Sequence, residues 1–372
     1  MVIFSTFDAL SISLKFDQLI LFTTLALTYK SAYMNQIEWS SLPFGYQKTN
    51  FNVRSYFREG EWGNLETTDS EFVSIHMAAT GLHYGQEAFE GLKAYMGKDG
   101  KIRLFRWEEN AKRMQASAKG IMMAVPPVEL FKEAVFTAVR LNAEFVPPYG
   151  TGASLYIRPL LFGSGPRVGV SPADEYLLLV FVSPVGPYFK GGFNPVSIMV
   201  AREFDRAAPK GTGRYKVGGN YAASLTAGEI AHKEGFASAL FLDAHEKKYI
   251  DEAGPANFFA IKGNTYVTPL SESILPSITN KSLMVLAEDM GMKVERRQIA
   301  LEELSEFDEV GACGTAAVIS PIRRIVDIEM GTEWNYCLDG KAGDKSTQLY
   351  KRLVDIQYGD AEDKFGWTSI VD

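Results

Sequence analysis

The chain has 372 residues, 46% of them hydrophobic and 22% charged, with a formal net charge of -7. This is the composition of an acidic soluble protein with material for more than one core, and at ~100–200 residues per domain it implies two domains. No basic stripe or run of Lys and Arg points to nucleic acid or to an anionic membrane surface.

The first 33 residues differ from the rest. Leu19 to Thr28 is an apolar run too short for a bilayer at ~20 residues. It weakly resembles a signal-peptide core, but Asp8 and Asp17 precede it and no A-x-A site follows. The segment reads as an upstream extension or a misplaced start, with globular character from Met34 onward. A cytoplasmic protein is expected.

Beyond Asn50, β-like and helical runs alternate. Phe51 to Phe57 and Ile102 to Phe105 read as strands. Trp107 to Gly120 reads as a helix, with Glu108 and Glu109 in its first turn. A second helix is predicted from Val128 to Phe145, closed by Pro147 and Pro148. Ala153 to Phe162 and Tyr176 to Val182 are apolar runs suited to buried strands.

Pro184 to Gly192 is dense in Pro and Gly and marks the best domain boundary. Further on, strands are predicted at Val196 to Ala201, Ala237 to Asp243, Tyr249 to Ile250 and Phe258 to Ile261. Helices are predicted at Tyr221 to Glu234 and Thr279 to Met290, the latter with Gly291 as C′ residue. The expected architecture is α/β of the α+β type: a small domain over 34–185, a loop over 186–195 and a larger domain over 196–372. Ligand sites commonly form at such a junction.

Several chemistries are excluded by pattern. Gly211 to Lys216 lacks the third glycine of GxGxxG, and Gly163 to Gly169 misses its spacing. There is no GxxxxGK[ST] run and no GxSxG elbow. Four histidines (His76, His83, His232 and His245) show no metal-ligand spacing, so no metal is expected. Cys313 and Cys337 form no CxxC pair and read as reduced thiols.

Lys216 sits in Gly213-Arg-Tyr-Lys-Val-Gly-Gly-Asn-Tyr221, where small neighbours give the backbone room to approach a bulky ligand. Taken alone, it is an ordinary loop lysine. The ordered set around it is specific: Leu82-His-Tyr-Gly-Gln-Glu-Ala-Phe-Glu-Gly-Leu-Lys-Ala94, Leu104-Phe-Arg106, Asn110-Ala-Lys-Arg-Met114, Tyr156-Ile-Arg-Pro159, Asp251-Glu-Ala-Gly-Pro-Ala-Asn257 and Gly314-Thr-Ala316. From about Ile37 to the C-terminus the chain resembles the branched-chain aminotransferases among the fold-type IV enzymes that use pyridoxal 5'-phosphate.

The resemblance implies a two-domain fold-type IV enzyme with the cofactor at the domain interface. It would exchange the amino group of leucine, isoleucine or valine with 2-oxoglutarate. Lys216 is implied as the covalent anchor and as general acid and base. Glu252, rather than neighbouring Asp251, is implied to pair with the ring nitrogen, and Tyr221 with the phenolic oxygen. Arg113, the N-terminal turn at Ile278 and Thr279, and Thr315 would hold the phosphate.

Tyr84, Phe89, Tyr156 and Tyr188 match pocket positions in the family. Arg158 matches the residue that meets the glutamate side-chain carboxylate, and Thr315 and Ala316 the donors to the α-carboxylate. A D-amino-acid aminotransferase or an aminodeoxychorismate lyase of the same fold type is the alternative. Two departures stand out. Pro255 has no N–H where some relatives donate. Ala317 and Ser320 stand where the mammalian enzymes carry a redox CxxC, so no thiol switch is expected there. The family implies a homodimer with a partner loop closing the site.

Overall fold

Apolar runs that leave no room for a polar face become the inner strands of two sheets. The computed structural model of the protein describes residues 37–186 and 193–372. The 1–33 segment therefore lies outside the described residues, as does most of the Pro/Gly-rich stretch with Tyr188.

The first sheet takes β1 (Asn52–Arg58), β2 (Glu61–Trp62), β3 (Glu66–Thr68), β4 (Glu87–Phe89), β5 (Leu92–Met96), β6 (Ile102–Phe105), β7 (Ser154–Gly163) and β8 (Tyr176–Val185). Helix α1 (Thr80–Tyr84) precedes β4, and α2 (Trp107–Gly120) and α3 (Val128–Arg140) lie between β6 and β7. The second sheet takes β9 (Val196–Ala201), β10 (Ser238–Leu242), β11 (Ile250–Ala253), β12 (Ala256–Lys262), β13 (Thr265–Pro269), β14 (Lys293–Arg297), β15 (Glu309–Gly314), β16 (Val318–Asp327) and β17 (Thr332–Asn335). Its helices are α4 (Gly218–Lys233), α5 (Ile278–Asp289) and α6 (Asp344–Tyr358). A last strand, β18 (Thr368–Val371), returns to the first sheet and pairs with β6.

The first sheet is antiparallel throughout its pairings, in the order β18-β6-β5-β7-β8-β1-β2 with β3 on β1 and β4 on β7. β4 and β5 keep one register against β7, with Phe89 opposite Leu160 and Leu92 opposite Ile157. They are one strand interrupted at Glu90-Gly91. Strand alternation therefore puts Phe89, Gly91 and Lys93 on one face and Glu90 on the other. In the second sheet, the pairing of β11 with β12 closes β9, β10, β11, β12, β15 and β16 into a ring. Ile198, Leu240, Phe258, Val310 and Ile322 belong to one buried apolar cluster of this ring. A second cluster joins the two sheets: Tyr95 and Phe105 of the first pack with Phe259, Tyr266, Leu283 and Leu353.

Several predicted elements fall within a residue or two of the observed ones, while others differ for local reasons. The helix predicted over Val128–Phe145 stops at Arg140, and Ala143–Phe145 forms a separate tight turn. Buried Asn142 explains the break. Its Nδ2 donates to Ala138 O at 2.7 Å and Phe51 O at 2.9 Å, and its Oδ1 accepts from Asn50 N, so the side chain competes with the helix backbone. β8 runs on to Val185, through Pro184. Past Val180 it has no partner on the β1 side, and an edge tolerates a proline.

Phe259 is fully buried and stacks on Tyr266 with ring centroids 5.2 Å apart. Phe259→Ala should lower unfolding stability by about 3–5 kcal/mol, read by urea titration. A loss no larger than that of an exposed Leu338→Ala control would show that this cluster does not hold the two sheets together.

Candidate active site

The backbone around Lys216 is stitched to the first sheet. Its N–H donates to Ser117 Oγ of α2 at 2.9 Å, and its carbonyl accepts from Phe89 N at 3.0 Å. Glycines flank it because other groups come close. A Cβ on Gly213 would lie 2.2 Å from Ser273 O, and one on Gly218 would lie 1.9 Å from Glu87 Oε1. Both are thus explained by packing within the chain, whereas Gly219 faces open space.

The Lys216 side chain enters a cavity of 390 Å³ between the two sheets. Its Nζ donates to the Tyr221 hydroxyl at 2.7 Å and lies 4.6 Å from the Phe89 ring centroid. Burial, reinforced by the Arg113 guanidinium, brings its pKa down to about 7. Burial also pushes the Tyr221 phenol well above its ordinary value, so its oxygen stays protonated. The result is a positioned amine that is neutral about half the time at pH 7.

At one end of the cavity stand Arg113 and Ser277. Arg113 is clamped from behind: its Nε and Nη2 each donate to Glu90 at 2.7 Å, and Nη1 reaches Pro276 O at 3.2 Å. Glu90 is fully buried and also accepts from Asn110 at 2.7 Å. Ser277 caps α5 by accepting from Asn280 N at 3.2 Å. The N–H groups of Ile278 and Thr279 begin that helix and have no intrahelical acceptor. Their side chains do not line the cavity, so any contribution there comes from the backbone.

Glu252 sits just behind the lining. Its Oε1 accepts from Asn257 Nδ2 at 2.8 Å and Leu275 N at 2.9 Å, both on the cavity wall. Its Oε2 lies 2.6 Å from Arg206 Nε, but that N–H is not aligned on it and has no hydrogen-bond partner. Burial raises the Glu252 carboxyl to about 7 against the pull of Arg206, and neighbouring Asp251 to about 6.

At the other end, Phe89, Tyr156 and Phe44 make an aromatic wall. Arg158 lies over it, its guanidinium carbon 4.9 Å from the Phe89 centroid and 5.2 Å from that of Tyr156. Its Nη2 donates to the Tyr156 hydroxyl at 3.1 Å, while Nε is buried without a partner. No carboxylate among the described residues pairs with Arg158. Tyr156 reaches the cavity over Gly91, whose Cβ would stand 2.1 Å from the phenol oxygen. Thr315, Ala316, Ala317 and Ser320 complete the lining.

The cavity thus gathers Lys216, Arg113, Tyr221, Phe89, Tyr156, Arg158, Thr315 and Ala316, with Glu252 directly behind. Tyr84 is not part of this lining. It is 42% exposed and its hydroxyl contacts Val168 O. Sequence reasoning overlooked Glu90, Arg206 and Phe44. Glu90 lies inside the quoted 82–94 motif, where a carboxylate on the buried face of a strand was the available signal. Arg206 and Phe44 had none. Among the described residues, no group of three or more potential metal ligands occurs.

Residues 87–325 match the class IV amino-transferase family. The chain is 45% identical over 341 residues to the branched-chain-amino-acid aminotransferase of Haemophilus influenzae, covering 90% of this chain and 98% of that one. Against its Helicobacter pylori counterpart the identity is 44%, with the same coverage. Among solved structures, the Escherichia coli branched-chain amino acid aminotransferase superposes with a TM-score of 0.68 at 30% identity, covering 86% of this chain and 99% of that one. The branched-chain aminotransferase of Thermoproteus uzoniensis, solved with norvaline, gives 0.69 at 26% identity, covering 86% and 100%. A desolvated lysine in a cavity walled by two sheets of this topology belongs to the class IV aminotransferases, and so does this chain. Within that class, its relatives above are branched-chain aminotransferases.

Because burial lowers the Lys216 pKa, its amine is charged below pH 7 and neutral above. Labelling of the apoprotein with an amine-directed acylating reagent, mapped by peptide mass, should reach half its maximum at Lys216 near pH 7. A midpoint near 10, as for surface lysines, would mean the side chain is not desolvated. Glu90→Gln should cost about 3–5 kcal/mol of stability, measured by denaturant titration, by leaving buried Arg113 unpaired.

Proposed function

We infer that this chain transfers the amino group of leucine, isoleucine or valine to 2-oxoglutarate, giving the branched 2-oxo acids and L-glutamate. The observation that carries the reading is Arg158: an unpaired guanidinium held on an aromatic wall, in the same cavity as a neutral Lys216. One pocket then serves both partners. Its aromatic and aliphatic surface suits a branched side chain, and Arg158 offers a fork for the side-chain carboxylate of glutamate.

Pyridoxal 5'-phosphate is the cofactor of this family, and the residues present fit it. Lys216 would hold it covalently. Arg113, with the N–H groups of Ile278 and Thr279 and the Thr315 hydroxyl, would hold the phosphate. Tyr221 would face the phenolic oxygen. Glu252 Oε2, which has no aligned hydrogen bond, would accept one from the protonated ring nitrogen and so keep the proton on the ring. When bound, the group supplies an electron sink for the pair left behind as the α-proton departs.

The chain's own residues do the rest. Lys216 Nζ, neutral half the time at pH 7, removes the proton from the substrate Cα. The Tyr221 hydroxyl keeps that nitrogen in one place. N–H groups of Thr315 and Ala316 would receive the α-carboxylate. Arg113 and Arg158 hold the site positive, which favours anionic substrates. The aromatic wall excludes water from the reacting centre.

The two sheet units would act as domains separated near residues 186–195. A homodimer is supported by apolar side chains exposed around α1 and its neighbouring loops: Phe72, Met77, Val168 and Val170 are each at least 84% exposed, and Leu82 and Tyr84 lie beside them in sequence. If the chain is a homodimer, Tyr84, 42% exposed, would meet the partner's pocket rather than its own. Two free thiols support a reducing, cytoplasmic setting. No described helix is long and apolar enough to cross a membrane.

Incubation with L-leucine and 2-oxoglutarate should yield L-glutamate, and Lys216→Ala should abolish it together with a borohydride-sensitive absorption band. Turnover of D-alanine in place of L-leucine would sink the assignment. Arg158→Met should raise KM for 2-oxoglutarate by about ten- to a hundredfold while changing that for leucine far less. Equal effects on both substrates would remove Arg158 from substrate selection. Light scattering should report twice the chain mass.

A further inference from the structure

A second cavity, of 310 Å³, lies directly behind the first. Ala316 and Ala317 line both, so the turn after Gly314 is the wall between them. Lys93 lines the second cavity, on the same strand face as Phe89 and Gly91. Its side chain is 8% exposed, and its Nζ donates to Ala316 O at 2.7 Å.

That carbonyl is its one hydrogen-bond partner, and no carboxylate among the described residues pairs with it. Burial brings its pKa down to about 8, which leaves it mostly a cation at neutral pH. An ammonium has three N–H donors, so two remain to be used. A buried cation without a counter-ion is electrostatically incomplete.

The rest of the lining describes what would complete it. Tyr95, Tyr350, Phe193 and Val354 offer aromatic and aliphatic surface. Gln357, 5% exposed, has a buried Oε1 with no hydrogen-bond partner. The carboxylate on the lining, Asp360, is exposed and accepts from Tyr149 at 3.0 Å through both oxygens. It exerts no influence on Lys93, so the cation is not already balanced by it.

We propose that this cavity is a second ligand site, taking a small monocarboxylate with an apolar or aromatic body whose carboxylate pairs with Lys93. The carboxylate takes the free N–H donors of Lys93 and competes with Ala316 O for the ammonium charge. Gly314 to Ala317 is then held less firmly from behind, and substrate binding on its other side weakens. This coupling rests on the reading of that turn as the α-carboxylate cradle; the site itself does not. Linkage requires the effect to be reciprocal.

The probe is 3-phenylpropionate, titrated calorimetrically into enzyme whose cofactor and substrate positions are filled with N-(5'-phosphopyridoxyl)-L-glutamate. One equivalent should bind per chain. Lys93→Met should weaken binding by about tenfold or more, and Val354→Trp, which fills the cavity while keeping Lys93, should abolish it. Absence of binding to the filled enzyme, or an affinity in either variant equal to that of the unsubstituted enzyme, overturns the proposal. With leucine as substrate, the probe should raise KM to a plateau; binding without any change in KM would overturn the coupling. If the phosphopyridoxyl compound itself fails to bind, the cofactor reading falls. The two variants, compared on the unfilled protein, then decide the second site.

Discussion

The buried pair between Arg113 and Glu90 holds the rest of the site in place. It joins helix α2 to the interruption between β4 and β5, and through Pro276 O to the lead-in of α5. Removing two such charges from water costs several kcal/mol each, which good geometry and extra hydrogen bonds must offset. Two parallel bonds at 2.7 Å, with Asn110 as a third donor, supply that. The arginine is thereby presented to the cavity in one orientation. Its charge also helps to lower the Lys216 pKa, so the pair shapes the electrostatics of the whole cavity.

The electrostatics of the cavity follow from where its charges are compensated. Arg113 is balanced by Glu90 on the side away from the cavity, whereas Arg158 has no carboxylate partner. Glu252 lies behind the wall with one oxygen engaged by Asn257 and Leu275. The site therefore carries an uncompensated guanidinium at the Arg158 end, one offset from behind by Glu90 at the Arg113 end, and an acceptor in Glu252. A dianion at one end and a monoanion at the other are the ligands such a distribution favours. An uncharged branched side chain is admitted because the wall between them is aromatic.

Strand alternation links this cavity to its neighbour. Phe89, Gly91 and Lys93 occupy successive positions on one face of β4 and β5, opposite Tyr156 and Arg158 on β7. Gly91 is the gap through which Tyr156 reaches the first cavity. One further step along the same face brings Lys93 behind the turn at Gly314. The same geometry that builds the aromatic wall of the first cavity thus delivers a buried cation to its neighbour.

Local pattern sufficed for the elements whose apolar period is unbroken, such as β6, β9 and α2, since periodic burial is written in neighbouring residues. Lys216, Arg113 and Tyr221 were legible only as members of an ordered motif set; none is distinctive by itself. Tertiary structure decided what depended on distant partners. Asn142 ended α3 by bonding to Phe51, and β18 crossed back to β6. Glu90 became the clamp on Arg113, Arg206 came beside Glu252, and Lys93 met Ala316 across 223 positions. Composition and periodicity report what a residue needs from water. Which buried charge finds a partner, and which is left without one, depends on chain segments that the sequence holds far apart.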